Sequence, residues 1–170
     1  MSNYFIDLKP ISRVRRNHGL EHATLHVLNK KFPGKSLAGV SSPFGFTIVG
    51  NVSTEDVAEA AVEALKRLRA GEENLAIHSN CGTNFAVPGI AAGLFAWMGT
   101  LGAKKDFKSQ LERLPLAMIL ATIGLIIFSP LGPVVQKRIS TSGRPGNLEL
   151  ERVETSVRAG VRLHRVVTKG

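Results

Sequence analysis

Cysteine is nearly absent from this sequence, since Cys81 is the single cysteine among 170 residues. A lone cysteine excludes an internal disulfide and suits a reducing compartment. Aromatic residues are also scarce, at 6% of the chain, with one Trp and one Tyr. The chain therefore lacks the aromatic surface on which proteins stack the bases of single-stranded nucleic acid.

Acidic residues are outnumbered, with 13 Asp and Glu against 22 Lys and Arg, so the formal net charge is +9. Such an excess predicts a negatively charged partner, either nucleic acid or the anionic face of a membrane. The apolar segments described next favour the lipid bilayer, whereas nucleic-acid binding rests on net charge alone. The first ten residues contain no basic stretch followed by an apolar run, so no cleaved signal peptide is predicted.

Charge is missing altogether from two segments, residues 85–103 and residues 114–135. About 20 apolar residues cross a bilayer as a helix, so the sequence predicts two transmembrane helices joined by a short basic loop. The alternative is a buried hairpin in a soluble protein, but a domain this small could hardly cover two wholly apolar helices. Two spans place both termini on one side. The basic residues near the spans do not settle the orientation. We therefore predict that both termini are cytoplasmic from the lone cysteine and the missing signal peptide.

Three of the five histidines are clustered near the start of the chain, at His18, His22 and His26, with Glu21 among them. Steps of four residues keep side chains on one face of a helix, so two of these imidazoles can bind one metal ion. His18-x-x-Glu21-His22 fits the inverted zinc-protease pattern, in which two histidines bind zinc and the glutamate activates the bound water. The pattern is short, and the alternative is a surface helix whose histidines are solvated or ion-paired.

A second cluster contains His78, Cys81 and Gly82, within the stretch His-Ser-Asn-Cys-Gly-Thr-Asn. Catalytic zinc usually has three protein ligands and one position for water, and Cys and His are its preferred donors. His18 and His22, joined by either His78 or Cys81, would complete such a set. The alternative role for Cys81 is that of a small buried hydrophobic residue, as for most free cysteines.

The two boxes together, His18-Gly-Leu-Glu21-His22 and His78-x-x-Cys81-Gly-Thr, resemble those of a group of uncharacterised bacterial membrane proteins described as predicted metal-dependent enzymes. The resemblance covers residues 12–130. It implies a metal-dependent membrane protein, with functional roles carried onto all five residues just named. It implies no particular substrate.

Local patterns predict the remaining elements. An amphipathic helix is expected over Ile11–Phe32, a strand over Phe44–Val52, a helix from a capping signal at Ser53 to Ala70, and a short strand over Leu75–His78. The two strands would share one small sheet, parallel if a crossover joins them, with His78 and Cys81 at the carboxyl end of the second strand. Gly19 inside the first helix costs about 1 kcal/mol relative to Ala. It therefore predicts either a close backbone approach or a kink.

The sequence thus predicts an α+β membrane protein in three parts: an α/β metal-binding domain at 1–84, a two-helix transmembrane hairpin at 85–136, and a basic tail at 137–170. The tail is expected to form a β-hairpin that completes the first domain, with an amphipathic helix on the membrane as the alternative. His164 in the tail is expected to be a polar strand residue and not a ligand.

The predicted function is that of a membrane-anchored zinc-dependent hydrolase, acting on a peptide or another amide with Glu21 as the base. Inverted zinc proteases usually take their third ligand from a downstream glutamate, and a cysteine ligand makes zinc a poorer acid. The alternative is therefore a non-catalytic, metal-stabilised membrane protein. It would act as a homo-oligomer, or as a subunit or assembly factor of a larger membrane complex.

Overall fold

The chain forms two compact units in the computed structural model, which describes residues 8–104 and 106–170. The first unit comprises the residues up to His78 together with Lys137–Gly170, and the second comprises Ser79–Gln136. The polypeptide thus leaves the first unit and later returns to it. The C-terminal segment from Lys137 therefore belongs to the same unit as the residues up to His78.

The first unit contains two helices and one four-stranded antiparallel sheet, with strand order β1-β2-β4-β3. Strands β3 and β4 form the predicted C-terminal hairpin, and β4 also pairs with β2, so a strand from the tail lies inside the sheet. The elements in chain order are α1 (Lys9–Lys31), β1 (Ala38–Ser42), β2 (Gly45–Val49), α2 (Thr54–Arg69), a 3-10 turn (Glu73–Ala76), β3 (Glu149–Arg158) and β4 (Val161–Lys169).

Helix α2 and the core follow the predicted pattern. The Ser53 hydroxyl accepts a hydrogen bond from the backbone N–H of Asp56 at 3.0 Å, which is the expected helix cap. One apolar stripe of α2 is buried in the core of the first unit, together with Leu20, Leu28, Phe46, Ile48 and Val166. The stripe consists of Val57, Ala60, Ala61, Ala64, Leu65 and Leu68. Burial of this stripe is the main stabilising contribution of α2, since apolar burial dominates folding free energy.

Two predictions about strands were wrong. Residues 75–78 are not a strand, because the backbone carbonyls of Ala76 and Ile77 accept hydrogen bonds from histidine side chains of α1. No strand is predicted between the first helix and Phe44, yet Ala38–Ser42 form β1, which pairs with β2 across a tight turn. Without a crossover between parallel strands, the sheet is antiparallel throughout.

Gly19 marks a close backbone approach, which is one of the two expected explanations. A Cβ atom at this position would overlap the carbonyl oxygen of Ser142. The same segment is attached to α1, because the Ser142 backbone N–H donates to the carbonyl oxygen of Arg15 at 2.9 Å. The glycine therefore lets residues near Ser142 lie directly on the helix.

The second unit consists of helices α3 (Thr83–Thr100), α4 (Phe107–Phe128) and α5 (Leu131–Val135), and a π-helical turn over Gln136–Ser140 follows. Helices α3 and α4 pack closely through small residues. A Cβ added at Gly99 would overlap the backbone of Ala117, and one added at Gly124 would press on Phe95. Such small-residue contacts are typical of helix packing in lipid. Many large apolar side chains point outward, among them Ile90, Leu94, Trp97, Met118, Ile119 and Ile126.

Helix α4 is the one helix in the described part of the chain that is long and apolar enough to cross a membrane. Two spans are therefore not supported, and the structure contains one candidate span in place of a two-helix transmembrane hairpin. Helix α3 has only 18 residues, and Asn84, Pro88 and several glycines dilute its apolar character. Helix α4 begins at Phe107, earlier than predicted, because the Asp106 carboxylate caps it by accepting from the Ser109 N–H. It ends at Phe128, before the predicted limit at 135, and Pro130 follows the helix after one further residue.

His164 is fully buried in β4, where its Nδ1 lies 3.1 Å from the hydroxyl oxygen of Thr155 on β3. The expectation of a polar strand residue is confirmed. Burial lowers the pKa of the His164 imidazole below its ordinary value of 6.5, and the nearby charge of Arg162 acts in the same direction.

We predict that Gly19→Ala destabilises the protein by about 1–3 kcal/mol, because the cost of overpacking against Ser142 exceeds the helix-propensity gain of alanine. The melting temperature of detergent-purified protein, followed by circular dichroism, measures the effect. Gly93→Ala is the matched control, since a Cβ at this helical glycine meets nothing within 4 Å. An unchanged or raised melting temperature for Gly19→Ala would contradict the close approach.

We also predict that His164 makes the free energy of unfolding depend on pH. Because its folded-state pKa is depressed, the unfolded chain binds the extra proton below about pH 6.5, so stability falls as the pH is lowered through that value. His164→Asn should be less stable at pH 8 but should lose less free energy of unfolding between about pH 7 and pH 5. Denaturant titrations of both proteins at each pH test this, and parallel curves would show that His164 is not the group responsible.

Candidate metal centre

Helix α1 carries His18 and His22 one turn apart, and their ring centroids are 4.4 Å from each other. The helix lies inside the first unit, with Asn17 and the run Gly19–Leu25 buried. His22 is only 2% exposed, whereas His18 is half-buried. The spacing of four residues has therefore placed two imidazoles side by side in a largely dry environment, as the sequence predicts.

Backbone carbonyls orient both rings. Nδ1 of His18 lies 3.0 Å from the carbonyl oxygen of Ser140, and Nδ1 of His22 lies 2.8 Å from that of Ala76. A carbonyl oxygen can only accept, so each Nδ1 carries the hydrogen, and in a neutral ring Nε2 then carries the lone pair. Metal-binding histidines commonly donate their other ring N–H to a carbonyl in this way, which fixes both the tautomer and the ring orientation.

His26 and His78 extend the row of imidazoles. Nε2 of His26 lies 2.7 Å from the carbonyl oxygen of Ile77, so this ring is anchored through the opposite nitrogen. The His78 ring centroid is 5.1 Å from that of His26 and 5.6 Å from that of His22. The 3-10 turn before His78 is thus attached to α1 at two carbonyls, and this attachment brings His78 beside the ligand helix.

His18, His22 and Cys81 form a cluster that could hold a metal ion, with one ligand atom from each residue and all three atoms within 4.8 Å of one another. Around a tetrahedral ion such as zinc, Cys and His ligand atoms are about 3.3–3.7 Å apart. Cys81 is 5% exposed. Whether His78 or Cys81 is the third ligand stays a prediction.

Glu21 is buried, at 3% exposed, and points toward β1. Its carboxylate accepts a hydrogen bond from the Ser41 hydroxyl, and a Cβ added at Gly39 would overlap the same carboxyl group. Glu21 is not a member of the three-residue cluster. Its role as a catalytic base therefore stays a prediction.

The carbonyls of Ala76 and Ser140 are the parts of this site that sequence reasoning missed. Backbone groups carry no residue-specific pattern, and both lie far along the chain from α1. The nearest sequence indication was Gly19, which predicted that some backbone segment approaches the helix beside the histidines.

Comparison with known proteins finds a matching protein family and a similar bacterial protein. A protein-family model with the description "Domain of unknown function (DUF6391)" matches residues 13–153. An uncharacterized protein of Picosynechococcus sp. (strain ATCC 27264 / PCC 7002 / PR-6) is 35% identical over 161 residues, covering 86% of this chain and 74% of the relative. No solved structure matches.

The resemblance inferred from the two histidine boxes thus leads to an uncharacterised family, and the comparisons do not confirm its description as a group of metal-dependent enzymes. The matched region includes His18, Glu21, His22, His78 and Cys81. Because the family model covers well over half of the sequence, this chain belongs to the family of the domain of unknown function DUF6391.

Proposed function

We propose that this protein is a membrane-anchored zinc protein that binds one ion through His18, His22 and Cys81 and hydrolyses a peptide or another amide. The observation that carries the proposal is the pair of adjacent imidazoles on α1, each held by a backbone carbonyl through Nδ1. Their Nε2 lone pairs are thereby oriented before any ion binds, which reduces the cost of assembling the site.

The donor set favours zinc. Two imidazoles and one thiolate are typical zinc ligands, whereas magnesium and calcium prefer oxygen donors. Three protein ligands also leave a fourth position for water, as in catalytic zinc sites. Bound zinc would supply a hydroxide at neutral pH by lowering the pKa of this water to about 7.

Glu21 is the residue proposed to take the proton. It precedes His22 by one residue, and the Ser41 hydroxyl fixes its carboxylate against β1. The downstream acids that could serve as an inverted zinc protease's third ligand, Glu55, Glu59 and Glu63, are exposed on α2 and lie outside the cluster. The protein would therefore differ from inverted zinc proteases in using Cys81.

Membrane anchoring is supported by α4, which is long and apolar enough to lie within a bilayer. Only 11% of the most apolar 18-residue stretch of α4 is buried inside the protein. Lipid would therefore cover most of the apolar surface of this helix. We propose the bilayer as the surroundings of α4. The exposed apolar side chains of α3 would face lipid, a membrane-protein partner or a second copy of the chain. Strands from before and after α4 in the chain share one sheet, so both must lie on the same side of the bilayer, and α4 would have to be connected back to that side through α3. That this side is the cytoplasm is part of the same proposal.

A second candidate function is non-catalytic, with the metal stabilising a subunit or assembly factor of a larger membrane complex. The contact between Glu21 and Ser41 favours it, because a carboxylate engaged on β1 is less available to a bound water. The thiolate of Cys81 favours it too, since sulfur donation weakens the acidity of zinc.

Metal content tests the site directly. We predict about one zinc per chain in wild-type protein purified in detergent, because three soft or borderline donors converge. His22→Ala and Cys81→Ala should lose the ion, whereas His26→Ala, the matched control on the same helix, should keep it. His78→Ala should also keep it if Cys81 is the third ligand. Wild type that holds no stoichiometric zinc, even after reconstitution, would refute the proposal.

The catalytic role is tested separately with Glu21→Gln. We predict that this variant keeps its zinc but loses about 10²–10⁴-fold in the rate of amide hydrolysis, since a positioned base typically contributes that much. Glu63→Gln, an exposed acid on α2, is the control and should match wild type. Hydrolysis unaffected in Glu21→Gln would exclude Glu21 as the base. Zinc-loaded wild type without hydrolytic activity on a panel of peptide and amide substrates would favour the non-catalytic function.

A further inference from the structure

The N-terminal end of α1 carries a concentration of positive charge that the helix itself does not favour. Lys9, Arg13, Arg15 and Arg16 lie within its first two turns, and its first turn contains no acidic residue. Leu8, at the N-cap, makes no side-chain capping bond. The positive end of the helix dipole raises the cost of placing cations here, so helix stability does not explain the cluster.

Neutral groups hold the arginines in place. Arg13 Nη2 donates to the carbonyl oxygen of Thr168 at 3.3 Å, and Arg16 Nη1 donates to Asn147 Oδ1 at 2.7 Å. Arg15 donates to the carbonyl oxygens of Arg138 and Thr141 at 3.0 and 3.2 Å. These partners restrict the side chains without neutralising them.

No carboxylate compensates this charge in the described part of the chain. All seven ion pairs among residues 8–104 and 106–170 involve other residues, so none of the carboxylates within those ranges lies within 4.0 Å of a nitrogen of the four basic residues. Fixed guanidinium groups that keep their full charge are typical of sites for phosphate and other anions.

Two cavities of the first unit adjoin each other at the N-terminal end of α1. The basic pocket, of about 530 Å³, is lined by Lys9, Arg13 and Arg16 together with Pro10 and Pro43. The apolar groove, of about 380 Å³, shares Pro10 and Pro43 with it and continues past Ile11, Val14 and Ile139 to His18. Ile11 and Ile139 are 40% and 54% exposed, so the groove presents apolar surface to any ligand.

We infer that this end of α1 binds one anionic phospholipid, with the phosphate in the basic pocket and an acyl chain along the apolar groove. The adjoining positive and apolar surfaces match a ligand that has a negative head and a hydrocarbon tail. A soluble phosphate would use only the basic pocket, and an uncharged apolar molecule would use only the groove. The inference does not depend on the proposed zinc chemistry, because none of the phosphate-binding residues is a proposed metal ligand.

The test is a titration of the detergent-purified full chain with dioleoyl phosphatidylglycerol, with dioleoyl phosphatidylcholine in parallel, followed by native mass spectrometry. We expect one phosphatidylglycerol to bind, with a dissociation constant lower by about tenfold or more than that of phosphatidylcholine. Arg13→Gln combined with Arg16→Gln should raise this constant about tenfold or more, whereas Lys30→Gln combined with Lys66→Gln, which removes two exposed charges elsewhere, should change it less than about twofold.

Two further measurements separate the parts of the site. Ile11→Asn should weaken phosphatidylglycerol binding if a lipid acyl chain occupies the apolar groove. Glycerol phosphate, which has no acyl chain, should compete poorly with phosphatidylglycerol for the site. Equal binding of both lipids, equal loss in the control pair, no effect of Ile11→Asn, or full competition by glycerol phosphate would each overturn the inference. If the arginine pair unfolds the protein, Lys9→Gln, at an exposed first-turn residue, takes its place and should weaken binding severalfold. His22→Ala should bind the lipid as wild type does, so a failure of the zinc proposal is distinguishable.

Discussion

The hydrogen bonds from imidazole nitrogens of α1 to backbone carbonyls are the interactions on which the rest of the site depends. The carbonyls of Ala76 and Ser140 fix the tautomers of His22 and His18, and that of Ile77 anchors His26. Each bond is possible only because an irregular segment lies directly on the helix, since a strand would have used those carbonyls in its own ladder. Gly19 permits the approach on one side, and Arg15 holds the carbonyls of the same segment.

The order of the elements along the chain makes this arrangement cooperative. Asn17, fully buried on α1, donates to the carbonyl oxygen of Ser42 at the end of β1 and accepts from the Thr168 hydroxyl in β4. The ligand helix is therefore attached to strands from both ends of the sequence. Since β4 lies between β2 and β3, loss of the tail would remove an interior strand, the Asn17 contact and the carbonyl that orients His18.

What the sequence could predict was local. Helix α1, the Ser53 cap, the C-terminal hairpin and the adjacency of His18 and His22 follow from patterns within a few residues, and the structure contains all of them. The segment before His78 was misassigned because its carbonyls bind side chains about fifty residues away, which no local pattern records. The sequence could not choose between His78 and Cys81 as a third ligand either, because both follow the same turn. The predicted transmembrane helix over residues 85–103 is not supported, because α3 begins with a polar first turn and contains several glycines.

The burial of Glu21 has a physical implication whether or not the protein is a hydrolase. A carboxylate that is 3% exposed is costly unless hydrogen bonds and opposite charge offset the loss of water. The Ser41 hydroxyl donates one hydrogen bond to this carboxylate. A divalent cation bound by His22, the next residue on the helix, would lower the cost through Coulomb attraction in a medium of low dielectric constant. Metal binding is therefore the property that catalysis and scaffolding would share.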